Sequence, residues 1–214
     1  MRYLKQKVAN ALEYLHPDYL KAVARGDSRE QRKHIRYKLR PQPASHVIKE
    51  DTVRAYAARH RCRVLIETGT FKGDMVHALL HDFDGIYSIE LGHDLFLAAQ
   101  KRFASENHVK IVEGDSAMKL TEVLRKLSQP AVLWLDAHFS GSETARSKID
   151  TPIERELSAI LCHSIKTHVI LIDDAREFGT RKHYPTLNKV AKMVLPTYKH
   201  FEVKDDIIRI TSSC

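Results

Sequence analysis

The chain has 214 residues, of which 43% are hydrophobic and 29% charged, and a formal net charge of +8. That composition suffices for one buried core with an appendage and excludes a disordered chain. Three cysteines, Cys62, Cys162 and Cys214, are odd in number, far apart and without ligand spacing, which excludes a disulfide framework and a cysteine zinc site.

The charge is uneven, because residues 1–40 carry 11 Lys/Arg against 4 Asp/Glu and the remainder is close to neutral. Leu4, Val8, Ala11, Leu12 and Leu15 recur at helical spacing, and His16-Pro17-Asp18 breaks the pattern before a second short helix around Tyr19 to Arg25. Residues 1–43 therefore read as a basic helical arm. Such an arm can meet nucleic acid or another anion, or present a solvated face, and its apolar stripe suits closure over a site or pairing in a homodimer. Charge interrupts Met1 to Lys7 before any signal-like core, and no apolar run approaches the ~20 residues that span a bilayer. The expectation is a soluble, cytoplasmic protein without a membrane partner.

Pro41-Gln42-Pro43 marks a linker, and residues 44–214 form the second unit, opening with a helix over Glu50 to His60. From there strands and helices alternate: strand 63–68, helix 73–82, strand 85–91, helix 94–105, strand 109–114, helix 117–127, strand 131–136. Thr151-Pro152-Ile153-Glu154 opens the next helix with a cap, a proline at the first position and a glutamate three residues after the cap. Strand 168–173 and a helix over Thr186 to Leu195 follow. At the end, Phe201 to Lys204 and Ile207 to Thr211 are strand-like runs separated only by Asp205-Asp206, which reads as a hairpin turn. The two aspartates are thus turn residues in this reading.

Five apolar runs each end in or run into a carboxylate: Glu67, Glu90, Asp115, Asp136 and Asp173. In an open α/β sheet the carboxyl ends of parallel strands line the edge where ligands bind, so all five acids face one crevice. An acidic crevice repels a pyrophosphate and suits a ligand that is hydroxyl-rich, cationic or metal-bound. The first strand runs into Glu67-Thr68-Gly69-Thr70-Phe71-Lys72-Gly73-Asp74, where Gly69 permits a sharp turn and Gly73 opens a helix. The spacing is not that of a dinucleotide fingerprint. Glu90, followed by Leu91, is placed to accept from ribose hydroxyls, and Gly114-Asp115-Ser116 offers a carboxylate and a hydroxyl to an adenine edge. Either acid can instead cap the next helix.

This pattern resembles class I S-adenosylmethionine-dependent methyltransferases over roughly residues 60–212. It looks closest to small metal-dependent O-methyltransferases of the catechol type and their bacterial relatives acting on sugars and natural products. The family's first motif is matched by Glu67, Gly69, Phe71 and Gly73, its ribose acid by Glu90 and its adenine-side serine by Ser116. The resemblance implies a Rossmann-like, doubly wound, seven-stranded and mostly parallel sheet with a C-terminal antiparallel hairpin. Thr68, Thr70, Asp74, Leu91, Asp115 and Asp136 stand with these as cofactor-contacting residues.

Asp136 and Asp173-Asp174 end neighbouring strands, and three converging carboxylates repel unless a cation intervenes, with hard oxygen ligands suiting Mg²⁺. By resemblance Asp136 and Asp173 match metal aspartates, and Asp174 stands where the catechol-type enzymes have asparagine. The other reading has Asp173 or Asp174 capping a helix and Asp136 contacting the cofactor amine. The catechol-type lysine base has no counterpart, since Phe139 occupies that position. His138, with an unperturbed pKa of about 6.5, is the nearest candidate base. Residues 139–150 are polar and placed like a lid, and Arg146, Lys148, Arg176, Arg181 and Lys182 in edge loops suit an anionic acceptor. The expected protein transfers a methyl group to a hydroxyl of a small, sugar-like or anionic molecule with Mg²⁺. The alternatives are an RNA methyltransferase gripping phosphate through the basic arm and a non-catalytic cofactor-binding module.

Overall fold

The structure is a computed structural model and describes residues 43–136 and 151–212. The basic arm, His138, the segment 139–150 with Arg146 and Lys148, and Cys214 lie outside the described residues.

The chain enters through helix α1 (His46–His60), capped by Ser45, whose side chain accepts from the Ile48 N–H at 3.4 Å. The helix thus begins four residues earlier than its sequence suggests. Strand β1 (Val64–Thr68) leads to the short α2 (Asp74–Ala78), then β2 (Gly85–Glu90), α3 (His93–Arg102), β3 (Val109–Glu113), α4 (Ser116–Leu124) and β4 (Val132–Leu135). After the second described segment begins come α5 (Ile153–Cys162), β5 (Val169–Ile172), a 3₁₀ turn over Ala175–Glu177, α6 (Leu187–Val194), β6 (His200–Lys204) and β7 (Ile207–Thr211).

The seven strands lie in the order β3-β2-β1-β4-β5-β7-β6, with β1 to β5 parallel and β7 antiparallel to both β5 and β6. The doubly wound sheet and terminal hairpin expected from the sequence are both present. Asp205 and Asp206 have φ of 53° and 61°, which matches a two-residue turn that needs positive φ at both positions. One sheet face packs on α4, α5 and α6 through residues such as Leu120, Leu157 and Val190. The other packs on α1, α2 and α3 through Val53, Val76 and Ala99. Because helices cover both faces, every residue of β1, β4 and β5 is buried, which explains why those strands read as unbroken apolar runs.

The strand order reverses between β1 and β4, so the crevice at their carboxyl ends is the topological switch point of the sheet. Backbone pairing continues past the strand ends there. Gly69 N–H donates to Ile89 O at 2.9 Å, Asp136 N–H to Thr68 O at 3.1 Å, and Asp173 N–H to Leu135 O at 3.1 Å. These bonds hold the acids in register along one edge.

Candidate active site

The half of the crevice above β1 and β2 is built from backbone turns and two glutamates. Gly69 and Gly73 have φ of 88° and 78°, the left-handed region that a side chain disfavours. At Gly73 a Cβ would also sit 2.7 Å from Phe103 Cε2, so the turn and the α3 packing both require glycine. Phe71 itself lies at φ 49°. Its N–H donates to Glu90 Oε2 at 2.7 Å, and Gly92 N–H donates to Glu90 Oε1 at 2.8 Å. A carboxylate has about four acceptor sites, so these two bonds orient Glu90 and leave the rest of its capacity to a ligand.

Glu67 is 2% exposed. Ser88 Oγ donates to Glu67 Oε2, and Thr70 Oγ1 lies 2.6 Å from Ser88 Oγ, forming a buried hydroxyl chain beneath the turn. Burial pushes the Glu67 carboxyl up to about 8, with the negative charges of Asp136 and Glu90 adding to the effect and the Ser88 bond opposing it. Among the described residues neither Glu67 nor Glu90 is paired with a cationic side chain. A ligand bringing positive charge or hydroxyl donors would supply what these acids lack. Thr68 Oγ1 is likewise buried without a hydrogen-bond partner among the described residues. This set fits S-adenosylmethionine.

Other residues expected at the cofactor have partners of their own. Asp115 caps α4, accepting from Ala117 N–H at 2.9 Å, and its other oxygen accepts from Arg155 at 3.1 Å. The helix-cap reading of Asp115 therefore holds, while Ser116 is buried at the first position of α4. Asp74 accepts from Arg102 at 2.7 Å, which holds its carboxyl below the usual range and ties α2 to α3. Leu91 is partly exposed beside the Glu90 anchor. The helix that Gly73 opens has only five residues, so its N-terminal amides are few.

The β4–β5 half is arranged differently. Asp173 is 2% exposed, and both its oxygens are engaged: Oδ1 accepts from Asp174 N–H at 2.8 Å and Oδ2 from the Lys49 ammonium of α1. Burial lowers the Lys49 pKa, but Asp173, Asp136 and Asp174 together outweigh it and hold the group above the usual lysine value. Asp174, at φ 54°, turns onto Arg176 at 2.6 Å, and Arg176 also donates to the buried Asp206 of the hairpin. Asp206 anchors the 3₁₀ turn too, its Oδ1 accepting Arg176 N–H at 2.7 Å and its carbonyl accepting Ala175 N–H at 2.8 Å. It is thus a turn residue with a second, structural duty. Arg176 is committed to these carboxylates, which removes it from the cations expected to meet an anionic acceptor; Arg181 lies 5.7 Å over the Tyr184 ring.

The expected metal triad does not assemble. Among the described residues no three His, Cys, Asp or Glu side chains are gathered as metal ligands, and Asp136, Asp173 and Asp174 act instead on the Lys49 ammonium. The reason is electrostatic: Lys49 and Arg176 already neutralise the β5 carboxylates. A divalent ion about 4 Å from the ammonium would meet a repulsion of about 8 kcal/mol at an effective dielectric near 20. The described donor set does not fit Mg²⁺.

Lys49 is the residue that the sequence reading missed, because the helix was expected to start at Glu50. The signal was present. Lys49 precedes the buried Thr52, Val53 and Tyr56 by three, four and seven residues and so shares their helix face. Tyr56 donates to Glu202 at 3.0 Å, and Arg54 donates to Asp82 at 2.9 Å and to Ala78 O at 2.7 Å, which fixes how α1 lies and where Lys49 reaches. Beside Asp173 a cleft is lined by Thr151, Ile153, Glu156, Phe178 and Tyr184. Thr151 Oγ1 accepts from Ile153 N–H at 3.4 Å, but the residue at the cap of α5 is Pro152, one position later than the sequence suggests and without a side-chain cap bond.

No protein-family model and no curated protein matches the chain. Solved structures do. The O-methyltransferase TomG of Streptomyces achromogenes, in complex with S-adenosylmethionine, aligns at 15% identity and TM-score 0.54 over 81% of this chain and 83% of its own. An O-methyltransferase from Bacillus cereus bound to S-adenosylhomocysteine aligns at 12% identity and TM-score 0.54 over 95% and 96%. The S-adenosylhomocysteine-bound methyltransferase PaMTH1 of Podospora anserina aligns at 16% and 0.52 over 100% and 96%. The 23S rRNA methyltransferase ErmE aligns at 14% and 0.50 over 77% and 68%. The chain has the class I methyltransferase fold.

Proposed function

We propose that this chain is an S-adenosylmethionine-dependent methyltransferase acting on a hydroxyl of a small acceptor in the cytoplasm. The observation that carries the reading is the pair Glu67 and Glu90, buried at the switch point beneath a left-handed glycine turn and without a cationic partner among the described residues. Structures sharing the fold hold S-adenosylmethionine or S-adenosylhomocysteine.

In this reading Glu90 accepts from the ribose hydroxyls, its orientation set by the Phe71 and Gly92 amides. In the same reading Glu67 and Asp136 face the amino-acid end, where a cationic ligand would draw the raised Glu67 carboxyl back toward its ionised form, and Ser116 stands on the adenine side. When bound, the cofactor would supply the methyl group to the acceptor oxygen, its sulfur keeping the electron pair of the broken carbon–sulfur bond, and His138 or water would take the hydroxyl proton. Positioning supplies much of the rate in such an in-line displacement.

Titration of the protein with S-adenosylhomocysteine by calorimetry tests the reading. Micromolar affinity is expected; no heat at about 100-fold higher concentration would sink it. The same titration with Glu90→Ala should show loss of affinity.

A second reading, RNA as the acceptor, is favoured by the charge of residues 1–40 and by the fold shared with the rRNA enzyme. Its signature would be RNA binding that weakens steeply with salt, with a log–log slope near the number of phosphates contacted.

A further inference from the structure

We propose that Lys49 is the built-in cation of the acceptor side: its ammonium takes the position between the β4 and β5 carboxylates that a divalent ion would otherwise need, and orients the acceptor oxygen from there. The inference rests on the methyltransferase reading only for the role toward the acceptor. The cation position stands on the geometry alone.

Three observations carry it. First, the contact is a designed one in the sense of placement: Lys49 reaches from α1, 124 residues away in sequence, to Asp173, whose side chain is 1% exposed. A carboxylate buried that deeply either takes up a proton, as the raised Glu67 shows, or meets a counter-charge, and at Asp173 the lysine is that counter-charge. Second, α1 is fixed by contacts unrelated to the carboxylates, namely Tyr56 on Glu202 and Arg54 on Asp82 and Ala78 O. The ammonium is thus held in place rather than drawn in from a mobile surface. Third, Asp136 and Asp173 continue adjacent paired strands, spaced about 4.8 Å apart, so the cation that serves one is within electrostatic reach of the other. Asp174 is held by Arg176, whereas Lys49 is the cation hydrogen-bonded to Asp173.

The Lys49 side chain is 17% exposed and its ammonium carries three N–H donors, of which one is directed at Asp173. The others can donate to an acceptor oxygen and stabilise the negative charge that develops on it. Lys49 is a positioning residue on this account. A protonated amine does for the acceptor what a Lewis-acidic ion does elsewhere, without metal loading.

The test is Mn²⁺ binding to the full chain, followed by the loss of the free-ion paramagnetic resonance signal, with S-adenosylhomocysteine affinity measured on the same samples. Wild type should leave Mn²⁺ free at about 100 µM, whereas Lys49→Ala should bind it at least about tenfold more tightly, and Lys49→Ala with Asp173→Asn should lose that gain. Lys49→Gln, which keeps the stem, serves if the alanine variant does not fold. Wild-type Mn²⁺ binding abolished by Asp173→Asn overturns the proposal, as does an absence of gain in both Lys49 variants. Asp173→Asn alone decides the case if neither Lys49 variant folds: wild-type binding that it removes overturns the proposal, and an ion left free in both supports it. Failure of S-adenosylhomocysteine to bind any sample would remove the methyltransferase reading while leaving the Mn²⁺ result to stand on its own.

Discussion

The two halves of the crevice carry the same residue type and treat it in opposite ways. Over β1 and β2, Glu67 and Glu90 are held by hydroxyls and backbone amides, and among the described residues no cationic side chain meets them. Over β5, Asp173, Asp174 and Asp206 are met by Lys49 and Arg176. Acids restrained by neutral donors keep their field for a ligand; acids matched by internal cations serve the fold and offer a ligand the remaining donors of those cations. A row of carboxylates at one sheet edge is therefore two sites.

The contrast predicts that substitutions in the first half cost ligand affinity and those in the second cost stability. The largest effect should come from Glu90→Ala, which on the proposed function removes the acceptor for two ribose hydroxyls. At ~1.5–3 kcal/mol per charged hydrogen bond, S-adenosylhomocysteine affinity should fall by about 10²–10⁴-fold in calorimetry. An unchanged affinity would break the comparison.

Asp173→Ala should instead leave cofactor affinity within a few-fold and lower the unfolding free energy by about 1–3 kcal/mol in urea, because the part-buried Lys49 loses its carboxylate. Lys49→Met should recover part of that loss when added to Asp173→Ala, since it removes the stranded charge.

Glu67 gives a pH test of the first half. Its folded pKa of about 8 lies above the ordinary 4.5, so the folded chain binds more protons than the unfolded one between those values. The contribution to stability is full below about pH 4.5 and is lost as pH rises toward 8. Relative to Glu67→Gln, the wild type should lose ~3–4 kcal/mol between pH 5 and pH 8. A pH-independent difference would mean that Glu67 already has a counter-charge.

The smallest effect separates the two readings of Asp115. As a helix cap, Asp115→Ala should cost ~1 kcal/mol of stability and leave S-adenosylhomocysteine binding nearly unchanged. A larger loss of affinity than of stability would return Asp115 to the cofactor site.

The alternation of apolar runs and helices was legible because a parallel sheet covered on both faces needs unbroken hydrophobic strands, as in Val132 to Leu135 and Val169 to Ile172. The Asp205-Asp206 turn was legible because only two residues separate its strands. Boundaries were less so: α2 ends at Ala78 rather than residue 82, since only its first turn packs as helix. The Glu67 to Gly73 turn and Glu90 were readable because the motif and its register lie within neighbouring strands.

What the sequence alone determined is therefore local and periodic: strand and helix order, the glycine turn, and a carboxylate at the end of each parallel strand. Tertiary structure decided which of those carboxylates meet a cation. Lys49 and Asp173 are 124 residues apart, and Arg176 and Asp206 are 30 apart. Their pairing depends on how α1 packs across the sheet and how the terminal hairpin folds back to β5. No spacing rule encodes a charge supplied from another layer, and that charge decides whether an acid is left for a ligand or matched within the protein.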